Sequence, residues 1–469
     1  MYKKKAHIHF VGIGGIGMSG IATILRNQDY SISGCDLDLE QKSIHDLQAL
    51  GCSIFQGNNT PHCQNSKIDI LVYSSAIKAQ DPEIIAAQKR GIPTIGRALM
   101  LAELMRTKYS IAIAGSHGKT TTTSLISHCL LEANMDPTVV IGGHLHAISS
   151  NARLGKGDFL VAEADESDRS FLHLQATIAI VTNIDLEHLE TYTDIDDIKS
   201  TFRQFLNNIP FYGRAILCVD DEHVRSLLPM PHLKIISYGI ENKSADIQAQ
   251  AIDLRPDHTL FTVWSEQEQR SLGNVRLAMP GMHNVLNALA AIALAQDLGI
   301  SFATTSRALE SFKGVDRRFS YRGTYKTSLI FDDYGHHPNE IRQTLLVARR
   351  RTRGKLMVVF QPHRYSRTHA LWDDFVNTLL AHPLDELILT DIYAASEAPI
   401  AEITSENLVK ALRMRNPAFN ITYVPFERLL PHIQHTATDF TDHENLILFL
   451  GAGKITKLST ALAKLSENA

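Results

Sequence analysis

Short apolar runs alternate with longer amphipathic stretches along this chain, and that alternation restricts the fold more than any other feature. The runs include His7–Val11, Ile68–Tyr73, Ser110–Ala114, Phe159–Ala162, Thr177–Val181, Leu356–Phe360, Glu386–Thr390 and Asn445–Leu450. Strands apolar on both faces must be covered on both faces, which is the condition of parallel sheets whose returns are helices. Several runs end abruptly in glycine, polar or charged residues. In open parallel sheets ligands gather beyond the carboxyl ends of the strands, so these endings are where chemistry is expected. A chain of 469 residues exceeds one core, and a prior of roughly 150 residues per domain gives three. The helical pattern Ala98–Met105 stops before Thr107-Lys108, and a long helical region stops at Gly314, so boundaries are expected there. Between about 242 and 276 the sequence turns polar and alternating, which suggests an antiparallel excursion.

Composition narrows the partners. The 44% hydrophobic and 20% charged residues are those of an ordinary globular protein. A formal net charge of -4 provides no global positive field for nucleic acid or anionic lipid. Phosphates must therefore be held by local devices, such as glycine loops, helix N-termini and single Arg or Lys residues. The cysteines, Cys35, Cys52, Cys63, Cys129 and Cys218, are odd in number and form no CxxC pair. That argues against a disulfide framework or zinc ribbon and for a reducing compartment. No run approaches the roughly 18 apolar residues of a membrane span. Lys3-Lys4-Lys5 leads into a stretch too rich in glycine for a secretory signal. We expect a cytoplasmic protein with neither a nucleic-acid partner nor membrane insertion.

Gly12-Ile13-Gly14-Gly15-Ile16-Gly17 fits G-x-G-x-x-G between a strand-like run and the helical pattern Met18–Leu25. Glycines there allow a tight turn and let backbone N–H groups approach a diphosphate. Ser31–Cys35 ends in Asp36, where dinucleotide folds often set an acid on a ribose hydroxyl. The motif alone leaves three readings open: a nicotinamide dehydrogenase, a UDP-sugar site, or a turn that binds nothing.

The second motif is more specific. Ile111–Ala114 leads into Gly115-Ser116-His117-Gly118-Lys119-Thr120-Thr121 and then a helix. This order supplies backbone donors for phosphates, a lysine for the β/γ-phosphates and a hydroxyl for Mg²⁺. It is shorter than the G-x-x-x-x-G-K-[ST] loop, whose first glycine would fall at Ile113. Two later strands end in Glu163-Ala164-Asp165-Glu166-Ser167-Asp168 and in Thr182-Asn183-Ile184-Asp185-Leu186-Glu187-His188. A carboxylate at a neighbouring strand end is the expected Mg²⁺ partner of such a loop. Met279-Pro280-Gly281-Met282-His283-Asn284-Val285-Leu286-Asn287 opens an Ala-rich, scaffold-like helix on a polar start. Farther on come Asp316-Arg317-Arg318-Phe319, then Phe331-Asp332-Asp333-Tyr334-Gly335-His336-His337-Pro338, then Gln361-Pro362-His363-Arg364-Tyr365-Ser366-Arg367. Arg364 and Arg367, three apart at a strand end, are suited to clamp a carboxylate.

G-x-H-G-K-T-T resembles the ATP loop of the Mur ligases, and the resemblance extends from Ile8 to Gly451-Ala452-Gly453. It implies an α/β chain of three domains: N-terminal Rossmann-like (1–108), central P-loop-type ATPase (109–315) and C-terminal Rossmann-like (316–469). It implies UDP-sugar at Gly14, Gly15, Ile16, Gly17, Asp36 and Ser75. For ATP it implies Gly115 to Thr121, including Ser116, His117, Gly118, Lys119 and Thr120, with His283, Asn284, Asn287, Arg318 and Asp333. One Mg²⁺ would sit on Thr120 and Glu163, and a second on Glu163 and His188. The incoming amino acid would meet His336, Arg364 and Arg367, with His336 positioning or deprotonating its amine. H-F-V-G-I-G-G-I-G-M-S-G, D-D-Y-G-H-H-P and Asp391-Ile392-Tyr393-Ala394-Ala395-Ser396-Glu397-Ala398-Pro399 resemble the alanine-adding branch. The absence of Lys between Ser200 and Tyr212 fits, because later-acting members use a carbamylated lysine there. The sequence departs from the family pattern at Ser116, at Gly142–His146 and at Asp185-Leu186-Glu187. The implied reaction is ATP-dependent ligation of L-alanine to UDP-N-acetylmuramate through an acyl phosphate, in peptidoglycan precursor synthesis. Competing readings are a tripeptide-recycling ligase on the same UDP-sugar, a dehydrogenase on the first glycine turn, and an ATP switch without ligase activity.

Overall fold

The computed structural model describes residues 5–57, 67–78, 80–145, 150–395, 397–437 and 444–467. Cys63, His146 and Ser396 lie outside the described residues. The chain divides into two compact units. One comprises Met1–Ile252, Phe261–Leu277 and Asn284–Lys313, and the other Asp253–Leu260, Ala278–His283 and Gly314–Ala469.

The first unit begins with β1 (His7–Val11), β2 (Ser31–Asp36), β3 (Ser53–Gln56), β4 (Ile70–Tyr73) and β5 (Thr94–Gly96). They form a parallel sheet in the order β3-β2-β1-β4-β5. The chain leaves β1 toward β2 on one side, while β4 occupies the other. The carboxyl ends of β1 and β4 therefore flank a topological switch point, where open α/β sheets bind ligands. The helix Ile16–Asn27 buries Met18, Ile21, Ala22, Ile24 and Leu25, a stripe at helical spacing that seats it on this sheet.

Next come β6 (Tyr109–Ala114), β7 (Thr138–Leu145), β8 (Ser150–Arg153), β9 (Phe159–Glu163), β10 (Ile178–Val181), β11 (Arg214–Cys218) and β12 (Lys234–Gly239). With β13 (Ile247–Leu254), β14 (Thr259–Ser265) and β15 (Arg270–Leu277) they form one sheet, ordered β15-β14-β13-β12-β11-β10-β6-β9-β7-β8. β6 runs parallel between β9 and β10, with Ile113 opposite Glu163 and Ala114 opposite Val181. Three strand ends are thus brought side by side. The helix Lys119–Glu132 that follows β6 is buried along Thr120–Ser127 despite its hydroxyls. Ser124 and Ser127 donate to the carbonyls of Thr120 and Thr123, both at 2.7 Å, which satisfies them without outside partners. The polar stretch 242–276 extends this sheet. β13 joins β12 in parallel, and four-residue turns link β13 to β14 and β14 to β15. Connections that short join only antiparallel neighbours.

The second unit is built on β16 (Ser320–Tyr325), β17 (Ser328–Asp333), β18 (Leu356–Phe360), β19 (Glu386–Leu389), β20 (Ile421–Tyr423) and β21 (Asn445–Leu450). Their order is β16-β17-β21-β18-β19-β20, parallel except for the antiparallel edge strand β16. β18 and β21 are wholly buried, as their unbroken apolar sequences require. Among the described residues no helix is long and apolar enough to cross a membrane.

Candidate active site

The loop between β6 and the helix Lys119–Glu132 depends on two glycines. Gly115 has φ +132°, and a Cβ there would lie 2.1 Å from Thr182 Oγ1. Gly118 has φ +81°, and its Cβ would lie 2.6 Å from Asn287 Oδ1. The segment after β10 grips the loop from the other side. His117 N–H donates to Asn183 Oδ1 (2.8 Å), while Asn183 Nδ2 and Thr182 Oγ1 donate to the His117 carbonyl (3.0 and 2.7 Å). Asp185 N–H donates to Ser116 Oγ (2.8 Å), and the Asp185 carboxylate lies 3.0 Å from His117 Nε2. Asp185 is therefore a brace of the loop. Gly118→Ala is expected to lower stability by about 1–2 kcal/mol from left-handed backbone alone, with further loss from the clash with Asn287. Denaturant unfolding without nucleotide would measure it.

Lys119 is fastened inside this loop. Its Nζ donates to the carbonyls of Gly115 (2.5 Å) and Ser116 (3.3 Å) and to both oxygens of Glu166 (2.8 and 2.9 Å). Burial disfavours its charge, but Glu166, Asp165 and Glu187 outweigh that and raise its pKa. His188 Nε2 lies 3.5 Å from the same Glu166 and 3.7 Å from Glu187. Burial opposes the imidazolium, yet hydrogen bonds to Glu166 and Glu190 and the neighbouring charges push its pKa up to about 9. His188 also holds φ +56°, a strained conformation for a non-glycine residue. Ligand atoms of Glu166, Glu187 and His188 fall within 4.8 Å of one another; the two carboxylates are hard oxygen donors for a divalent cation, and His188 joins them only by giving up a ring proton. Glu163 sits at the end of β9, where its carboxylate accepts the N–H of Gly142 at 2.9 Å. Thr120 is buried in the first helical turn. Lys119 and His188 are thus brought together by Glu166, which the sequence reading passed over in favour of Glu163.

The N-terminal turn is pre-shaped in a comparable way. Gly12 has φ +77°, and the N–H groups of Gly12 and Ile13 donate to the Cys35 carbonyl. Gly14 N–H donates to Asp36 Oδ2 (2.8 Å), Gln41 Nε2 to Asp36 Oδ1 (3.2 Å), and Ser43 Oγ to the Gly14 carbonyl (2.7 Å). Asp36 braces the turn. Gly15 and Ile16 begin the helix exposed, and Ser75 is exposed just past β4, one residue beyond Ser74, which packs on Gly12. A Cβ on Gly17 would lie 3.2 Å from Arg97 Cδ, and Arg97 Nη2 reaches Asp165 at 3.1 Å. Arg97 thereby links the glycine turn to the loop carrying Glu166.

Asn284 and Asn287 are buried at the start of the Ala-rich helix Met282–Asp297. Thr122 Oγ1 donates to Asn287 Oδ1 (3.1 Å) and Asn287 Nδ2 to Asn284 Oδ1 (3.3 Å), so Asn287 supports the helix behind Lys119. Thr121 is buried in the same helix.

His283 belongs to the second unit. Burial and the Arg318 guanidinium, opposed by a hydrogen bond with Gln343, push its pKa down to about 4. Arg317 and Arg318 lie over the Tyr334 ring at 4.7 and 5.3 Å, and Arg317 Nη2 donates to the Gly451 carbonyl (2.7 Å). Asp333, at the end of β17, accepts N–H groups from Phe319 and Gly335, both at 2.7 Å, and the Thr344 hydroxyl at 3.2 Å. Burial nevertheless raises it to about 6.

The ends of β17, β18 and β19 carry a basic cluster. His336 Nδ1 donates to the Tyr334 carbonyl (3.1 Å), with Glu340 at 3.4 Å. The His336 ring is 5.5 Å from that of His363, which stacks on Tyr393 at 5.5 Å. Arg367 Nη1 donates to His363 Nδ1 (3.3 Å), which assigns the ring proton of neutral His363 to Nε2. Burial and the charges of His336, Arg367, Arg364 and Arg317 push His363 down to about 3. His363, Arg317 and Tyr393 stand in the segments singled out from the sequence, but pattern alone assigns them no role, although His363 immediately precedes Arg364. Because unfolding lets His283 and His363 take up protons near pH 6.5, the unfolded state binds more protons below that pH. Stability is therefore expected to fall as pH drops from 6.5, by up to about 1.4 kcal/mol per pH unit for each histidine, and below about 6 the folded-state protonation of Asp333 offsets one of the two. Denaturant unfolding at pH 7, 6 and 5 would check this, with a shallower slope in His283→Gln.

The chain's sequence matches three family profiles in succession. These are "Mur ligase family, catalytic domain" over residues 7–109, "Mur ligase middle domain" over 113–295, and "Mur ligase, glutamate ligase domain" over 317–453. The chain belongs to the Mur ligase family. Relatives include the UDP-N-acetylmuramate–L-alanine ligases of Geotalea uraniireducens and Syntrophotalea carbinolica. Each is 47% identical, over 467 and 465 residues, with 99% of both chains covered. Among solved structures, the UDP-N-acetylmuramate-alanine ligase of Thermotoga maritima aligns with a TM-score of 0.81 at 28% identity, covering 99% of each chain. A murein peptide ligase from Psychrobacter arcticus shares the fold, with a TM-score of 0.73 at 23% identity over 99% of each chain.

Proposed function

We infer that this chain joins L-alanine to the muramyl carboxylate of UDP-N-acetylmuramate, driven by ATP, in peptidoglycan precursor synthesis in the cytoplasm. The full-length 47% identity to ligases of that name carries the choice of substrates. The shortened loop around Lys119 supports the choice of ATP.

A carboxylate and an amine do not condense in neutral water, because the carboxylate repels nucleophiles and offers no leaving group. Transfer of the γ-phosphoryl group to the muramyl carboxylate makes an acyl phosphate. The alanine amine then adds to the acyl carbon, and the tetrahedral intermediate expels phosphate. Phosphoryl transfer calls for positioning and charge neutralisation. In this reading the backbone of Gly115 to Gly118 and Lys119 hold the phosphates, with Thr121 behind them. For Lys119 to reach a phosphate it must exchange part of its contact with Glu166. Mg²⁺ would be held by Thr120, Glu163 and His188, with Glu166 and Glu187 completing the acidic surround, and would neutralise charge on the phosphates. His283, Asn284, Asn287, Arg318 and Asp333 are assigned to the nucleotide, and Asn287 also supports its loop. We assign the UDP-sugar to Gly14, Gly15, Ile16, Gly17, Asp36 and Ser75 in residues 1–108, with Asp36 also shaping the turn. The phosphate loop for ATP is assigned to the central part, 109–315, and the amino acid to His336, Arg364 and Arg367 in 316–469. His336, whose Nδ1 donates to the Tyr334 carbonyl, is assigned to positioning or deprotonating the amine.

The test is phosphate release with UDP-N-acetylmuramate and each amino acid in turn. Release is expected only when ATP, the UDP-sugar and the amino acid are all present, with L-alanine the fastest acceptor. A tripeptide outperforming L-alanine, or release without any acceptor, would overturn the reading.

A further inference from the structure

We propose that Glu397 is a positioning residue for the incoming amino acid, holding Arg364 and the first turn of the helix Tyr365–Ala370 in the geometry that receives a carboxylate. The proposal rests on the assignment of the amino acid to this basic cluster. Arg364 occupies φ +69° and ψ 137°, which a non-glycine residue adopts only when its surroundings enforce it. Two sets of contacts do so. On the backbone, Arg364 N–H donates to the Tyr393 carbonyl and Tyr393 N–H to the Pro362 carbonyl, both at 2.8 Å, which clips the loop after β18 to the loop after β19. On the side chains, Glu397 accepts Ser366 N–H on Oε2 (3.0 Å) and Ser366 Oγ–H on Oε1 (2.7 Å). Its Oε1 lies 3.6 Å from Arg364 Nη1. Glu397 is itself fixed by its N–H, which donates to the Ala394 carbonyl at 2.9 Å.

One carboxylate thus orients the guanidinium of Arg364 and anchors the turn that leads to Arg367, one helical turn on. A guanidinium binds a carboxylate well only when its fork is aimed, and an ion-pair partner contributes to that aim before substrate arrives. Removing Glu397 should therefore weaken the grip on the amino acid's carboxylate while leaving the nucleotide and UDP-sugar sites alone.

The experiment is steady-state kinetics on the full chain for Glu397→Ala, Arg364→Ala and the double variant. Glu397→Ala is expected to raise KM for L-alanine about tenfold or more, with KM for ATP and UDP-N-acetylmuramate within about twofold of wild type. In the Arg364→Ala background the same change should add less than about twofold, because the two residues act as one unit. Ser366→Ala, which removes one of the hydrogen bonds and keeps the ion pair, should give an intermediate rise. An unchanged KM for L-alanine overturns the proposal. So does a full additional effect in the Arg364→Ala background, or a loss of kcat alone, which would mark damage to folding. The parent assignment is judged on wild type: phosphate release independent of any amino acid removes the site and this proposal with it.

Discussion

Lys119→Ala is expected to lower alanine-dependent phosphate release by about a thousandfold or more, while the protein remains folded. Removing a single preorganised donor from developing charge typically costs about a hundred- to a thousandfold in rate, and a full positive charge on a transferring phosphoryl group costs at least as much. The structure predicts a second consequence. The Glu166 carboxylate, 2% exposed, makes two hydrogen bonds to Lys119. Truncating the lysine leaves a buried carboxylate with His188 as its nearest cation, at 3.5 Å. Breaking one partner of a buried pair costs about 3 kcal/mol, so the single variant should unfold at lower denaturant. Lys119→Met/Glu166→Gln removes both charges and should recover most of that stability with no recovery of turnover. Measuring both quantities separates the chemical role of Lys119 from its structural one. A Lys119→Ala enzyme that still forms the amide at near wild-type rate would end the reading of this loop as a phosphate grip.

The strands that carry the site were legible in the sequence because they are buried on both faces. β1, β18 and β21 coincide with the apolar runs His7–Val11, Leu356–Phe360 and Asn445–Leu450. Edge strands were not legible. β3 and β20 are four and three residues long and partly exposed, so neither period nor apolar content separates them from loops. Within the site, the Lys119 loop announced itself because its glycines, lysine and threonines must occur in one order. Glu166 did not. In Glu163-Ala164-Asp165-Glu166-Ser167-Asp168 four carboxylates compete, and the turn after β9 alone decides which is folded inward. Asp36 and Asn287 show the same limit in another way: beside the ligand contacts assigned to them, their polar atoms shape the turns that ligands would approach, which spacing alone does not reveal.

The largest effect on acceptor binding is expected at Arg367. Its guanidinium donates to His363 Nδ1, so it supplies positive charge and also fixes the tautomer and tilt of the ring beside His336. A carboxylate bound in this cluster would gain charge-assisted hydrogen bonds worth about 2–4 kcal/mol. Arg367→Ala should therefore raise KM for L-alanine about a hundredfold, with kcat falling less. Arg367→Lys retains the charge but not the planar fork or the directed bond to His363, and should recover only part of the loss. Burial and the surrounding cations hold His363 neutral, down to about 3, and Arg367 is among those cations. Its removal should let His363 titrate at higher pH, visible as a shifted imidazole resonance in a pH titration followed by NMR. If KM for L-alanine stays within about twofold of wild type in Arg367→Ala, the acceptor carboxylate is bound elsewhere, and the amino acid must be reassigned away from the ends of β17 and β18.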